Sequence, residues 1–536
     1  MSEITTSINT PRTGTTQIVW IAIFACVAAA YFFGLGMPLV GPDEPRYAQV
    51  AREMFDRGDW VTPTLGGFNW FEKPALLYWL EMISYRLFGV TEFAARFGPA
   101  LFGLGTVASL WVLGRSVNRD GRSNAENQEP KTSFANWLAV IAASTLGIIV
   151  FSHGASFDII ITFQMTASLV AFFIFDRTSD RENAGTAENS DPSPRLRITA
   201  SLAGFYFFIG VALLAKGLIG IIFPFAIVAF YYLLSRKMPA KTFLFSLVWG
   251  TMLAVAVAAT WYLPMYLRHG YAFIDEFFIQ HHFQRFTSNK YQHPQPFYFF
   301  LWVLPLMTLP WLPFFVSAIW KFVSGLLRKK NDTRPETANS ENTDLTAAAS
   351  PLFLFSIAWI AVPLVFFSIS GSKLPGYILP AVPGAIVFIS VYLFGLIEKS
   401  KNWRIAIGSL AALTLVTTSI LSITVVPSFV RNDTVKTLIQ AANERGYTRE
   451  RVISMHTTSH NAEFYAAGRL LRDESGKQMR LYGVDEVVRA INEDNGIPVL
   501  VLIPIGWSPQ ITKDEKLTSE VLADNGELAI VRVALK

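Results

Sequence analysis

"QIVWIAIFACVAAAYFFGLGMPLVGPDEPRYAQVAREMFDRGDW", residues 17–60, joins two unlike halves. The first is an uncharged apolar run of the ~20-residue length that a helix needs to cross a bilayer. The second opens on two adjacent carboxylates, Asp43 and Glu44, followed by Pro45 and Arg46, and places apolar residues at Tyr47, Val50, Ala51, Met54 and Phe55. That i, i+3, i+4, i+7, i+8 stripe predicts an amphipathic helix ended by Gly58. A span followed by a helix lying in the interface plane is the reading that decides the fold. The first run is longer than the apolar core of a signal peptide and stays apolar past its alanines, which predicts a retained anchor.

The spanning pattern recurs along the chain. Of 536 residues, 52% are hydrophobic and only 16% are charged, a balance foreign to a soluble protein of this length. Apolar segments fall at roughly 17–37, 93–114, 134–152, 157–175, 198–215, 217–235, 242–267, 297–322, 351–370, 375–397 and 404–426. They predict a mainly α, polytopic membrane protein with about 11–13 transmembrane helices. A single cysteine, Cys26, excludes an intrachain disulfide and a cysteine-based zinc cluster. The net charge of +5, without a basic tract interleaved with aromatics, argues against a nucleic-acid partner and fits loops facing anionic lipid.

Orientation follows from the loop charges. "GRSVNRDGR", "LLSRKMPAK", "GLLRKKNDTR" and "EKSKNWR" all fall on one side if the N-terminus is cytoplasmic, as the positive-inside rule requires. Polar tracts at 181–193 and 331–346 read as flexible cytoplasmic loops. The opposite, periplasmic side receives the long loop 39–92, the turn 153–158, the loop 268–296 and the tail. A second interfacial helix is expected in "ALLYWLEMISYRLFG". We divide the chain into a membrane domain, 1–427, and a small periplasmic α/β domain, 428–536. In the latter, "RVISMH", "PVLVLIPI" and "LAIVRVAL" read as strands and "VDEVVRAINED" as a helix. Nothing in that tail looks catalytic, and His456 and His460 read as ordinary surface or loop residues.

Nearly every unusual polar residue gathers on the periplasmic side, where we place the site. Asp43 suits the N-cap of a helix starting near Pro45 and Glu44 its first turn, but the pair also lies at the membrane surface among other polar groups. Lys73 of "NWFEKPALLYW" is either an interfacial lysine snorkelling beside Trp70 and Trp79 or a phosphate ligand at headgroup depth. Lys216 interrupts a long apolar stretch, as a turn marker or as a functional cation. Arg285 and Lys373 extend the cationic set. Asp158 opens a span where Ser156 competes for the cap. His281 and His282, with His293 further on, offer a divalent metal site or hydrogen bonds to phosphate or sugar, and their spacing matches no standard zinc pattern. No Walker A, Rossmann or G-x-S-x-G motif stands in a supporting context, which disfavours a nucleotide as direct substrate.

"GPDEPRYAQVAREMFDRGDWVTPTLGGFNWFEKPALLYW" resembles the first external loop of the polyprenyl-phosphate-sugar transferases. That group joins bacterial aminoarabinose transferases, which modify lipid A, with protein O-mannosyltransferases. The D-E-x-R-Y, G-D-W and E-K-P-x-x-x-Y-W elements are closest to the aminoarabinose type. "EFFIQHHFQRF", "QHPQPFYFF" and "SGSKLPGYILPAVPG" are similar to later signatures of the family. The resemblance implies a GT-C-type fold with interfacial helices on the outer face and a cavity for a lipid-phosphate-linked sugar. It implies that Asp43 is the essential acid, with Glu44 beside it, and Asp158 a second acidic position. It places Arg46, Lys73, Lys216, Arg285 and Tyr377 around the carrier phosphate, and we add Glu72 and Lys373 to the substrate-binding set.

The function implied is transfer of a sugar from a polyprenyl-phosphate carrier to an envelope acceptor at the periplasmic face of the bacterial inner membrane. Lipid A or a related glycolipid is preferred over a protein hydroxyl. The rival class is a secondary transporter or lipid flippase, which would place its binding residues near the bilayer midplane on repeat-related broken helices. A scaffold protein would not need acids and bases on one face.

Overall fold

The computed structural model describes residues 13–122, 133–184, 194–284, 295–331 and 350–536. Helix α1, Thr13–Phe32, leads through a short connection to α2, Asp43–Arg57. The stripe read from the sequence is the buried side of α2: Tyr47, Val50, Ala51 and Met54 face the protein. Gly58 ends the helix in the left-handed region (φ 64°), its N–H reaching the carbonyls of Met54 and Phe55, a backbone shape in which a side chain is strained. A two-stranded hairpin, β1 (Thr64–Leu65) and β2 (Phe68–Asn69), leads to α3, Leu76–Phe88, the second helix expected in this loop.

The apolar segments then follow as helices: α4 (Glu92–Arg122), α5 (Phe134–Ala143), α6 (Leu146–Ser152), α7 (Phe157–Asn183), α8 (Pro194–Lys216), α9 (Ile219–Ser235) and α10 (Lys241–Ile274). Beyond a π-helical continuation of α10, Asp275–Gln284, come α11 (Phe299–Met307), α12 (Leu312–Asn331), α13 (Pro351–Ile369), a 3-10 turn at Pro375–Ala381, α14 (Val382–Lys399) and α15 (Lys401–Thr424). Among the described residues seven helices are long and apolar enough to cross a membrane, or nine if each bent pair is one span.

The bent pairs are α5–α6, at 58°, and α11–α12, at 118°. Apolar length reads each as one span, the second of them long and broken by prolines. Pro305 and Pro310 withhold backbone donors around the second bend, and Ser144 and Thr145 turn their hydroxyls back onto carbonyls at the first. The two other expected spans, Gln17–Phe32 and Ile219–Ser235, are apolar helices shorter than the rest. Most of the loops expected at 181–193 and 331–346 lie outside the described residues.

Helix α7 is the axis of the bundle, with 78% of its most apolar window buried, against 6% for α15 at the periphery. Around Phe172 of α7 pack Phe205, Tyr231, Tyr232, Phe243 and Phe355, all from neighbouring helices. Such interlocked rings give a rigid centre.

After α16 (Val426–Asp433) the chain builds a mixed sheet in the order β4-β3-β5-β7-β6. The strands are β3 (Val452–Met455), β4 (Arg480–Leu481), β5 (Val499–Pro504), β6 (Leu517–Asp524) and β7 (Leu528–Leu535). β3, β4 and β5 are parallel, and β7 runs antiparallel to both β5 and β6. Leu500, Leu502 and Ile530 face helix α17 (Lys436–Glu444), while Val501, Ile503 and Val531 face α19 (Val484–Glu493). Burial on both faces explains the unbroken apolar run of β5. The three strands read from the sequence are β3, β5 and β7, and β4 and β6 are additional.

This C-terminal unit docks on the segment 39–92 through α18, Ala462–Tyr465. The Tyr465 hydroxyl donates to Glu92 (3.0 Å) and accepts the Leu39 N–H (3.0 Å). The Arg52 guanidinium lies over the Phe464 ring at 4.1 Å and donates to the Phe464 carbonyl at 2.7 Å.

Candidate active site

The acidic pair that opens α2 splits into two tasks. Asp43 is the first helical residue, with Pro42 as cap and no side-chain capping bond, so the helix begins earlier than the expected start near Pro45. Its carboxylate is half-exposed, 3.6 Å from the Arg46 guanidinium. Glu44 points the other way. One of its oxygens accepts the Val40 N–H (2.8 Å) and Arg96 Nη2 (2.7 Å), and the other accepts the Ala155 N–H (2.7 Å) and Arg96 Nε (3.1 Å). Arg96, only 2% exposed, spends its remaining donors on the carbonyls of Leu35, Met37 and Pro38.

Sequence reasoning misses this junction, because Arg96 reads there as a lone charge at the start of a span. That lone charge is the available signal. Both oxygens of Glu44, expected in a catalytic role, are thus engaged in holding this junction.

Arg46 stacks over Trp70 at 5.3 Å, which ties α2 to the loop carrying Glu72 and Lys73. Those two side chains pair at 3.2 Å and are each 13% exposed. The loop is held from behind by Glu53 of α2, a residue that no motif singles out. Its carboxylate collects the Thr64 hydroxyl (2.7 Å) and the N–H groups of Gly66 (2.6 Å) and Gly67 (3.1 Å). Between helices and loop stand Tyr47 and Tyr78. Burial, and after it the charge of Glu72, pushes both phenols well above their ordinary range, so both stay neutral. Glu81, on the buried side of α3, has no hydrogen-bond partner for either oxygen among the described residues. Burial and then the Glu44 charge raise its carboxyl well above the ordinary carboxylate range.

Tyr47 and Tyr78 both pack edge-on against Phe157, at 5.0 and 5.5 Å. The next residue is Asp158. Ser156 takes the cap of α7, its hydroxyl accepting the Asp158 N–H at 3.4 Å. The Asp158 side chain is thereby left to pair with Lys216, the last residue of α8, which stands over the Tyr377 ring at 5.0 Å. Gly376 closes the cluster: a Cβ there would lie 2.2 Å from Asp158 Oδ2, so only glycine lets the backbone come this near. Three segments far apart in sequence thus meet where a carboxylate, an ammonium and an aromatic face share one spot.

One expected member sits elsewhere. Lys373 is 6% exposed and donates to the carbonyls of Ser370 (2.6 Å) and Gln295 (3.1 Å), so its ammonium braces the turn before Tyr377. In the turn before α7, His153 bonds the carbonyls of Ile149 and Phe33. Arg285 and His293 lie outside the described residues, as do the side chains of His281 and His282. Among the described residues no group of three or more His, Cys, Asp or Glu could hold a metal ion.

Residues 37–274 match the family model of dolichyl-phosphate-mannose-protein mannosyltransferase. The chain is 29% identical over 372 residues to the undecaprenyl phosphate-alpha-4-amino-4-deoxy-L-arabinose arabinosyl transferase of Aeromonas salmonicida, covering 68% of this chain and 58% of the relative. It is 30% identical over 381 residues to the transferase of that name from Shewanella sediminis, covering 70% and 60%. The chain therefore spans about three fifths of the length of these curated relatives.

Among solved structures, it is similar to ArnT from Cupriavidus metallidurans bound to undecaprenyl phosphate, with TM-score 0.68 at 21% identity over 96% of this chain and 98% of that one. The oligosaccharyltransferase of Archaeoglobus fulgidus shares the fold more distantly, with TM-score 0.53 at 13% identity over 92% and 70%. This multi-pass membrane protein is thus similar, over its membrane portion, both to the dolichyl-phosphate-mannose-protein mannosyltransferase family and to the bacterial aminoarabinose transferases, whose fold it shares.

Proposed function

We propose that the chain transfers a sugar from a polyprenyl-phosphate carrier to lipid A or a related envelope glycolipid. Transfer would take place at the periplasmic face of the bacterial inner membrane, with the N-terminus cytoplasmic and residues 428–536 forming a periplasmic domain. The observation that carries this reading is the convergence of Asp158, Lys216 and Tyr377 from three segments, with Phe157, the neighbour of Asp158, packed on Tyr47 of the helix that carries Asp43 and Arg46. Breaking the bond between the anomeric carbon and the phosphate oxygen leaves positive charge on the sugar and negative charge on the carrier. Lys216, held by Asp158 and braced by an aromatic face, is already aimed when that phosphate arrives. Preorganised cations of this kind commonly lower the barrier of such a reaction more than any other single effect. The near-burial of Lys73 beside Glu72 supports its reading as a phosphate ligand over that of a snorkelling lysine. Asp43, half-exposed on the helix start, is the carboxylate positioned to meet the sugar or an acceptor hydroxyl.

The test is Asp43→Asn in full-length protein in membranes. The expected result is normal protein yield and no transferred sugar by mass spectrometry of extracted lipids. Unchanged product would remove Asp43 from the reaction. For Lys73→Ala, carrier binding should weaken more than acceptor binding, and an equal loss of both would contradict the phosphate role.

A further inference from the structure

The C-terminal unit exposes aromatic rings on one edge of its sheet. β3, β4 and β5 are parallel, and the residues just past their carboxyl ends are His456, Tyr482 and the turn Ile505–Trp507. Crevices beyond the carboxyl ends of parallel strands are where α/β sheets bind ligands. Here the His456 ring stacks on Trp507, with centroids 4.3 Å apart and planes within 20°, and meets Tyr482 edge-on at 5.7 Å. Gln510 locks the set, bonding His456 Nε2 at 2.7 Å and donating to the Tyr482 carbonyl at 3.0 Å. The Arg480 guanidinium lies over Tyr482 at 5.0 Å.

Two features separate this edge from an incidental surface. Trp507 and Tyr482 remain 55% and 51% exposed although their positions are fixed. His456 holds a left-handed backbone (φ 57°), uncommon outside glycine, which fixes the direction of its ring at the strand end.

We propose that this edge is a saccharide-binding platform for the sugar headgroup of the glycolipid acceptor, a choice of ligand that rests on the sugar-transfer reading above. The C–H bonds on the flat face of a pyranose carry slight positive charge and lie well on the negative face of an aromatic ring. The planar amide of Gln510 and the guanidinium of Arg480 border the rings with hydrogen-bonding groups suited to hydroxyls, and Arg480 also suits an anionic substituent. The rings are already held in place, so a ligand orders little on binding.

The position relative to the outer loop favours an acceptor over an unrelated sugar. From the carboxyl end of β3 the chain runs, within residues 456–465, from the platform to Tyr465, which bonds the Leu39 N–H at the approach to α2. One platform residue, His456, therefore opens the stretch that ends in the contact with the helix carrying Asp43.

The experiment is saturation-transfer NMR on full-length protein in detergent, with a water-soluble, acyl-free phosphorylated glucosamine disaccharide as probe. Saturation should pass to the sugar ring protons and fall at least tenfold in Trp507→Ala and in Tyr482→Ala. It should be retained in Ile497→Ala, an exposed apolar residue before the amino end of β5, and in Lys216→Ala, which belongs to the proposed transfer site. Equal signals in wild type and Trp507→Ala would overturn the platform, as would a signal lost only in Lys216→Ala, which would put the disaccharide at the membrane-edge site. A second arm uses vesicles of phosphatidylethanolamine and phosphatidylglycerol: if Trp507→Ala weakens vesicle binding while no sugar signal is seen, the edge is a membrane contact and the proposal fails. Sugar transfer is assayed separately, so a platform that binds in a protein without transferase activity separates the two readings.

Discussion

Helix α7 carries an aspartate paired with a lysine near each end, and the two pairs are built differently. Asp176, 2% exposed, accepts hydrogen bonds from the Tyr231 (3.0 Å) and Tyr232 (3.2 Å) hydroxyls and from Lys237 (2.8 Å), which also reaches Asp180 at 2.5 Å. Asp158, about 27 Å away at ~1.5 Å per residue, pairs with Lys216, and the tyrosine beside that lysine offers it a ring face. Its carboxylate stays 20% exposed. A buried carboxylate that is fully hydrogen-bonded is a finished structural knot. A pair left partly open, with an aromatic wall beside it, keeps capacity for a third charged group. Composition alone, one Asp, one Lys and a Tyr, does not distinguish a site from a brace; the completeness of the hydrogen bonding does.

The contrast can be broken most sharply at Lys216. Lys216→Ala should lower sugar transfer by about 100- to 1,000-fold with protein yield and melting temperature close to wild type. A melting loss as large as that of the Lys237 variant would make both ends structural. Next in size is Lys237→Met, which leaves Asp176 buried with only its tyrosine donors. We expect a stability loss of roughly 2–3 kcal/mol by thermal unfolding in detergent, with transfer per folded molecule unchanged. Tyr231→Phe and Tyr232→Phe should each cost about 1 kcal/mol and leave transfer untouched. A large activity loss in either would extend the site to the far end of α7.

The smallest effect belongs to a pair outside the bundle core, Asp59 with Arg268 at 2.7 Å, where Arg268 is half-exposed. Desolvation pushes the Asp59 carboxyl up, but the Val61 N–H, the Arg268 guanidinium and the Thr62 N–H together hold it below its usual range. A depressed folded-state value stabilises above the unfolded one, ~3.9, and that contribution is lost as pH falls through the folded value. Arg268→Ala should therefore cost about 0.5 kcal/mol at neutral pH and low salt. Melting curves of the variant and wild type should converge as the pH is lowered past the carboxylate range.

Much of this organisation can be read from one dimension, because the bilayer imposes it. Span length, the apolar stripe of α2 and its glycine stop all follow local rules, and the structure carries them. The bend at residues 144–145 is not legible as one, since an apolar run without proline looks the same straight or folded back, whereas Pro305 and Pro310 mark the break near residues 308–311 without its angle. Strand β6 escapes because it is an edge strand with few buried positions, so "LTSEVLAD" shows no apolar run. Within the site, residue types at the membrane edge are legible, and their pairings are not. Glu44 and Arg96 stand 52 positions apart, and Asp158 and Lys216 are 58 apart. Lys373 reads as a free cation in "SGSKLPGY" because its acceptors are backbone carbonyls, which a sequence does not display.

Glu44 fastens the beginning of α2, the loop from Leu35 to Pro38 through Arg96, and the turn before α7 to a single carboxylate. Asp43 and Asp158 consequently ride on one stapled frame. When lipids of different thickness tilt the surrounding helices, the two acids shift in concert and their spacing is preserved.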